Sequence, residues 1–322
     1  MNEYLTYGLA LAAGVGVLFF GAEWLVRGAA RLAGSLGISP IVVGLTVVSM
    51  GTSAPELVVS LTAALRGNSD LAIGNVMGSN LANIGLILGL TALIRPMQVA
   101  ARVVNREVPI MLAVTVLLYF LAWDLELGMG DGLILLMVLA LYLVFINRVA
   151  AEEPKEILGE YAQFAKSEEH IRKKITIRDV GLVVVGSGGL VVGGSLIVNS
   201  AEFMADAMGI PDMIVGLTVV AIGTSLPELA TSLVAAVRNE ADIAVGNVVG
   251  SNIFNIAAIL GTTATVTPIQ VAPEVLTQEL PAVLLLSLVV LPVAWNAFMV
   301  RRWEGAILLT GYVVLGAWLF RV

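Results

Sequence analysis

Residues 44–56 read GLTVVSMGTSAPE, and 172 positions later residues 216–228 read GLTVVAIGTSLPE, ten identities in thirteen. The same offset carries GNVMGSNLANI (74–84) onto GNVVGSNIFNI (246–256), eight identities in eleven. A chain built this way folds one unit twice, and the two units have to complete each other. Each copy also places a glutamate, Glu56 or Glu228, deep inside apolar sequence. The chain is 58% hydrophobic and 13% charged, whereas a soluble domain carries about 25% charged residues. With a mean hydropathy of +0.96, the surroundings of the two glutamates are the hydrocarbon of a bilayer. An ionisable residue at that depth is a functional-site hypothesis by default.

Apolar stretches of about 20 residues, the length that spans a bilayer, fall near 5–33, 40–65, 71–94, 108–123, 131–148, 180–204, 213–237, 243–266, 280–296 and 303–321. The expected fold is therefore an all-α polytopic membrane protein of about ten transmembrane helices, five per repeat, with broken helices at the GTSxPE motifs. The first span follows a start (MNEYLTYG) without a basic region and is expected to stay as a helix. Placing the N-terminus outside leaves only Arg66 and Arg321, of 17 Lys and Arg, on the outer side. Positive residues concentrate in cytoplasmic loops, so both termini are expected outside. Five spans per repeat make the second repeat enter from the opposite side. The repeats, 1–148 and 179–322, are then inverted about an axis in the membrane plane, an arrangement that places a transporter's site near the midplane.

The segment 149–178 is the one long charged stretch. It reads as a solvated cytoplasmic linker, too short for a domain, though Arg172–Lys174 also suit anionic lipid. The single histidine, His170, lies in it, so no histidine chemistry belongs to the membrane core. Zero cysteines exclude disulfides, thiolate metal sites and cysteine nucleophiles. No GxSxG, HExxH or DDxxD occurs, and an enzyme is not expected. Nucleic acid and an obligatory protein partner are not expected either. The partners are ions and membrane lipid.

The motifs suit ion chemistry. Pro55 and Pro227 lack an N–H, so each helix kinks or breaks near the preceding glycine and frees carbonyls around Ser49–Thr52 and Ala221–Thr224. Irregular backbone survives in a membrane where it lines a cavity or binds something. Freed carbonyls, hydroxyls and a carboxylate form an all-oxygen ligand set. A competing reading makes Ser53-x-x-Glu56 and Ser225-x-x-Glu228 capping boxes that restart a helix. A serine alone caps, however, and a glutamate at membrane depth needs stronger compensation. Asn75, Ser79 and Asn83 recur every four residues on one helix face, as do Asn247, Ser251 and Asn255. Asn75 and Asn247 read as interhelical hydrogen-bond glue, Ser79, Asn83, Ser251 and Asn255 as site residues, and Asn80 and Asn252 as structural.

Two glutamates offer four oxygens, and the carbonyls of Thr52 and Thr224 add two. Six to eight oxygens is the coordination Ca²⁺ prefers, and the lack of His or Cys in the core argues against zinc or copper. Two carboxylates balance one Ca²⁺, and Na⁺ of similar radius fits the same oxygens. Protons are expected to compete for the carboxylates.

At these residues, GTSxPE and GSNxxN each present twice, the chain resembles the sodium/calcium exchanger family of the cation/Ca²⁺ antiporter superfamily, its small prokaryotic members above all. The resemblance implies a secondary antiporter exchanging Na⁺ for Ca²⁺ by alternating access in a prokaryotic inner membrane, with no cofactor. It implies that Glu56 and Glu228 ligate both ions and that the carbonyls of Thr52 and Thr224 ligate Ca²⁺. Ser53, Ser79, Ser225, Ser251 and the carbonyls of Ser49 and Ala221 would serve Na⁺, with Asn83 and Asn255 lining the centre. It also implies that the first and sixth helices slide to switch access, a role that the glycine-rich faces Gly14, Gly16, Gly21 and Gly186, Gly188, Gly189, Gly193 fit as well as plain packing does. Potassium-dependent members carry Asp where this chain has Asn255. Two carboxylates alone favour a potassium-independent exchanger. Three Na⁺ per Ca²⁺ is the family expectation. The alternatives are H⁺- or K⁺-coupled cation/Ca²⁺ antiport and, from another class, a passive cation channel.

Overall fold

The computed structural model describes residues 2–36, 38–151, 177–208, 221–295 and 298–319. Within them the first repeat supplies α1 (Asn2–Leu36), α2 (Pro40–Thr52), α3 (Ala54–Leu65), α4 (Ser69–Ile94), α5 (Val103–Leu121) and α6 (Met129–Ala151). The second supplies α7 (Ile177–Ala207), α8 (Ala221–Thr224), α9 (Leu226–Val237), α10 (Ala241–Val266), α11 (Val275–Val293) and α12 (Arg302–Leu319). The chain is an integral membrane protein. Seven of these helices are long and apolar enough to span a bilayer, and α2 with α3 forms an eighth span bent by 46°. The expected ten is reached only by adding the 12-residue α9 and the 18-residue α12. Most of the 149–178 linker, with His170 and Arg172–Lys174, and residues 216–220 of the second GLTVV motif lie outside the described residues.

Burial separates core from periphery. In α10, 94% of the apolar window is buried and in α4 72%, against 22% in both α6 and α7. The two helices carrying the GNVxGSN motifs therefore run through the middle. On α6, Leu133, Met137, Leu141 and Val144 are exposed at helical spacing, an apolar stripe facing outward as lipid contact requires.

The inversion of the repeats is visible in two places. Helices α1 and α7 occupy equivalent positions in the two repeats and pack antiparallel. Gly14 faces Gly193, Gly21 faces Gly186, and Gly28 faces Asp179 and Val183, the number rising on one helix as it falls on the other. Small residues let the backbones meet. A Cβ on Gly186 would lie 2.5 Å from the Leu25 nitrogen, and one on Gly193 2.5 Å from the Leu18 nitrogen. Gly16 and Gly188, expected on the same faces, have nothing within 4 Å and point away from the crossing. Gly28, not foreseen, belongs to it.

Four two-residue strands supply the second sign: β1 (Met97–Gln98), β2 (Glu126–Leu127), β3 (Ile269–Gln270) and β4 (Met299–Val300). Pairing is antiparallel, β1 with β4 (Met97 opposite Val300) and β2 with β3 (Leu127 opposite Ile269). Because β1 and β2 flank α5, the two pairs lie at opposite ends of a membrane-spanning helix. The 172-residue offset carries β1 onto β3, so equivalent strands sit at opposite faces. Each pair joins one repeat to the other.

Interlocking continues in the helices. Gly89 of α4 lies against the Gly305 backbone of α12, and Gly261 of α10 against Gly132 of α6. Each repeat's last helix thus packs on the other repeat's motif-bearing central helix. Glu23 of α1 pairs with Arg27 one turn on and with Arg238, just past α9.

Candidate functional site

The chain between α2 and α3 breaks at Ser53 (φ −81°, ψ 6°), two residues beyond the glycine where the break was expected. The reason is Pro55. It sits in the first turn of α3, where its missing N–H and fixed φ are tolerated, so the turn resumes one residue after Ser53. Ser225 (φ −86°, ψ 3°) repeats the break between α8 and α9, with Pro227 in the same place. The expectation that the Ser49 carbonyl loses its donor is corrected. It accepts the Ser53 N–H at 2.9 Å, because the break falls after this hydrogen bond, while the Thr52 hydroxyl 3.3 Å away lies nearer Asn247 Oδ1, at 3.1 Å. The carbonyl of Gly51 is the one whose i+4 donor is abolished by Pro55. Ala221 opens α8 and Thr224 closes it.

Neither serine caps its helix through its side chain. The Ser53 hydroxyl instead donates to Glu228 Oε1 of the other repeat at 3.2 Å. The capping-box reading therefore does not describe these serines. On the opposite side, the Ser225 hydroxyl donates to the Ser79 hydroxyl at 3.4 Å.

The glutamates sit in the first turns of α3 and α9, Glu56 fully buried and Glu228 1% exposed. Their carboxylates interact electrostatically across the repeat boundary. Among the described residues, neither Glu56 oxygen nor Glu228 Oε2 has a hydrogen-bond partner. The same holds for Asn83 Oδ1, Asn255 Oδ1 and the Ser251 hydroxyl, all on fully or nearly fully buried side chains. A buried polar atom without a partner costs about 1–3 kcal/mol, more when charged. Six such oxygens, three from the two carboxylates and three neutral, fall on motif residues of both repeats, and their chemistry is of the kind a hard cation takes. Among the described residues no group of three or more His, Cys, Asp or Glu gathers, so the site holds two carboxylates and neutral oxygens. That set fits Ca²⁺ or Na⁺ as transported substrate rather than a transition metal.

Asn75 and Asn247 hold the glutamate turns. Asn75 Nδ2 donates to the Glu56 carbonyl at 3.2 Å and to Ser60 Oγ at 2.9 Å, while its Oδ1 accepts from the Thr224 hydroxyl at 3.5 Å. Asn247 mirrors it, donating to the Glu228 carbonyl at 3.4 Å and to Ser232 Oγ at 3.1 Å and accepting from the Thr52 hydroxyl at 3.1 Å. The Ser49 hydroxyl shares its proton between the Gly44 carbonyl at 2.8 Å and the Asn247 carbonyl at 3.1 Å. Each asparagine therefore clamps its own repeat's glutamate and the other repeat's threonine.

Sequence reading missed Ser60 and Ser232. The signal was present, since both lie four residues after a motif glutamate and are related by the repeat offset. It also missed the π-helical turns Asn83–Leu88 and Asn255–Leu260, each opening on a site asparagine. Such turns concentrate at functional sites, and nothing in the local sequence marks them. The Asn255–Leu260 turn packs against α3, the helix of Glu56, and the Asn83–Leu88 turn against α9, the helix of Glu228.

Comparison with known proteins agrees with this layout. The family described as sodium/calcium exchanger protein matches residues 6–147 and 179–321. The chain is 38% identical to the inner membrane protein YrbG of Escherichia coli, over 96% of this chain and 95% of that one. It is 33% identical to the sodium/calcium exchanger MaX1 of Methanosarcina acetivorans, over 98% of each. Its fold superposes on a structure of the sodium-calcium exchanger NCX_Mj, soaked with Na⁺ and Ca²⁺, with a TM-score of 0.81 and 30% identity over 98% of both chains.

Proposed function

The chain belongs to the sodium/calcium exchanger family, a family of cation/Ca²⁺ antiporters and not of enzymes, and on that premise we propose that it exchanges Na⁺ for Ca²⁺ by alternating access. Glu56 and Glu228 ligate both ions in turn. The Thr52 and Thr224 carbonyls complete the Ca²⁺ shell, and Ser53, Ser79, Ser225, Ser251 and the carbonyls of Ser49 and Ala221 serve Na⁺. Asn83 and Asn255 turn amide oxygens toward the centre. The observation that supports this reading is the set of six buried oxygens without a partner among the described residues, three from the carboxylates of Glu56 and Glu228 and three from Asn83, Asn255 and Ser251, contributed by both inverted repeats. One Ca²⁺ neutralises those carboxylates, and Na⁺ ions replace it without any change of protein charge. Because the site straddles the repeat boundary, a shift of one repeat against the other changes which face reaches it.

Orientation follows from charge. The face of the β1–β4 pair carries Arg95, Arg102, Arg301 and Arg302. We read this as the cytoplasmic face by the bias of positive residues, with the N-terminus outside, and the relative named as an inner membrane protein supports a prokaryotic inner membrane. With Asn at 255 rather than Asp, K⁺ is not required.

The test is Ca²⁺ uptake into proteoliposomes loaded with Na⁺ and diluted into Na⁺-free medium, with K⁺-loaded and pH-gradient controls. Uptake is expected only against internal Na⁺, and Glu56→Gln or Glu228→Gln is expected to abolish it in folded protein. Uptake driven only by K⁺ or a pH gradient would replace Na⁺ as the coupling ion. Full transport in either glutamine variant would remove the site.

A further inference from the structure

An asparagine amide is useful to a cation only one way round. Its oxygen attracts the ion and its NH₂ repels it, and the two ends are nearly the same size. Asn83 and Asn255 each present an unpartnered, buried Oδ1, so something fixes their polarity. Two buried asparagines with no place in the ligand set lie behind them. Asn255 Nδ2 donates to Asn80 Oδ1 at 3.0 Å, and Asn83 Nδ2 donates to Asn252 Oδ1 at 3.4 Å. Asn80 and Asn252 are 0% and 1% exposed.

Each of these second amides is itself anchored on an atom that can only accept. Asn80 Nδ2 donates to the backbone carbonyl of Asn252 at 3.5 Å. A carbonyl cannot donate, so the NH₂ of Asn80 has to face it and Oδ1 has to face Asn255. The NH₂ of Asn255 is then drawn away from the site and its oxygen turned in. On the mirror side, Asn252 Nδ2 donates to the thioether of Met111 at 3.5 Å. Sulfur is also only an acceptor, and a weak one. Two relays cross the repeat boundary in opposite directions and end on the two ligand amides.

We propose that Asn80 and Asn252 are positioning residues that set the polarity of the Asn255 and Asn83 amides, and so make two neutral side chains cation ligands. The inference rests on the cation-site reading above. The Asn80 relay, ending on a carbonyl, holds its amide more firmly than the Asn252 relay, which ends on a thioether.

A carboxylate has no wrong way round, and this supplies the test. Ca²⁺ affinity is measured by equilibrium ⁴⁵Ca²⁺ binding to the purified full-length protein and to Asn80→Leu, Asn255→Asp and the double variant. Removing a residue that orients a metal ligand typically costs 10–100-fold in affinity, so Asn80→Leu is expected to weaken Ca²⁺ binding about 10–100-fold. In the Asn255→Asp background the same substitution is expected to matter by no more than about 2-fold, the scatter of independent sites. An equal loss in both backgrounds would mean that Asn80 only supports packing, and overturns the proposal. So would an Asn80→Leu protein that binds Ca²⁺ like the parent. Parent protein whose Ca²⁺ binding survives Glu56→Gln would instead overturn the cation site itself. If Asn80→Leu does not fold, the mirror cycle of Asn252→Leu with Asn83→Asp makes the same comparison.

Discussion

Alanine at Gly186 tests the crossing of α1 and α7 without reference to transport. The new Cβ would lie 2.5 Å from the Leu25 nitrogen and 2.9 Å from both the Gly21 oxygen and the Leu25 Cα. Favourable non-bonded separations are about 3.5–4.0 Å, so the overlap is about 1 Å and falls on backbone, which cannot rotate aside. The helices have to part by a comparable distance, and a gap of 0.5–1 Å forfeits about a quarter to a half of each contact's attraction. Overpacking of this kind costs about 1–3 kcal/mol. Replacing a mid-helix glycine also gains about 1 kcal/mol of helix propensity, which would blur the reading. Gly188→Ala removes the ambiguity, because Gly188 has nothing within 4 Å and takes the same propensity gain. Gly186→Ala is therefore expected to be less stable than Gly188→Ala by about 1–3 kcal/mol, read from reversible SDS unfolding in mixed micelles. Gly193→Ala should behave like Gly186→Ala, since its Cβ meets the Leu18 nitrogen at 2.5 Å. Equal stability of the Gly186 and Gly188 variants would refute backbone contact between these helices.

Asn247→Ala removes the acceptor of Thr52 and the donor to Ser232 and the Glu228 carbonyl. It is expected to cost at least about 1–3 kcal/mol in the same unfolding assay, with Asn75→Ala close to it because its bonds are the mirror set. A loss under about 0.5 kcal/mol in both would show that the clamps are not structural. Glu240, in the turn before α10, has its carboxyl pushed above the ordinary carboxylate range, first by burial and then by the nearby charge of Asp242. A raised folded value favours the fold below the ordinary range, and that advantage disappears as pH rises through the folded value. Glu240→Gln is therefore expected to stabilise the protein at neutral pH and to make no difference at acid pH. A stability difference independent of pH would refute it.

The spans were legible because twenty apolar residues in succession admit few folds, and most of the expected boundaries fall within a few residues of the helices. The inversion followed from an odd number of spans, and the antiparallel meeting of Gly14 with Gly193 and Gly21 with Gly186 expresses it physically. Glu56 and Glu228 stood out because charge at membrane depth needs a reason. What stayed hidden depends on partners distant in sequence. Ser53 reads locally as a cap and is turned to Glu228, 175 residues away. Asn80 points away from Asn83 on its own helix, and only the other repeat shows what it holds. Gly16 and Gly188 share their neighbours' composition, and only the helix rotation shows that they face elsewhere.

The cross-paired strands also set a timetable for synthesis. β1 at Met97–Gln98 finds its partner in Met299–Val300, about 200 residues downstream. At translation rates of about 5–20 residues per second, the first repeat waits roughly 10–40 s in the bilayer before β4 exists. Through that interval α4 lacks Gly305 of α12 against Gly89, and Glu56 lacks the second repeat. Contacts of such long range are slow to form, and their partners stay exposed meanwhile. The nascent first repeat is thus the stage at which insertion chaperones and membrane proteases compete for this chain. A substitution that leaves the finished transporter untouched can still lower its yield by acting there.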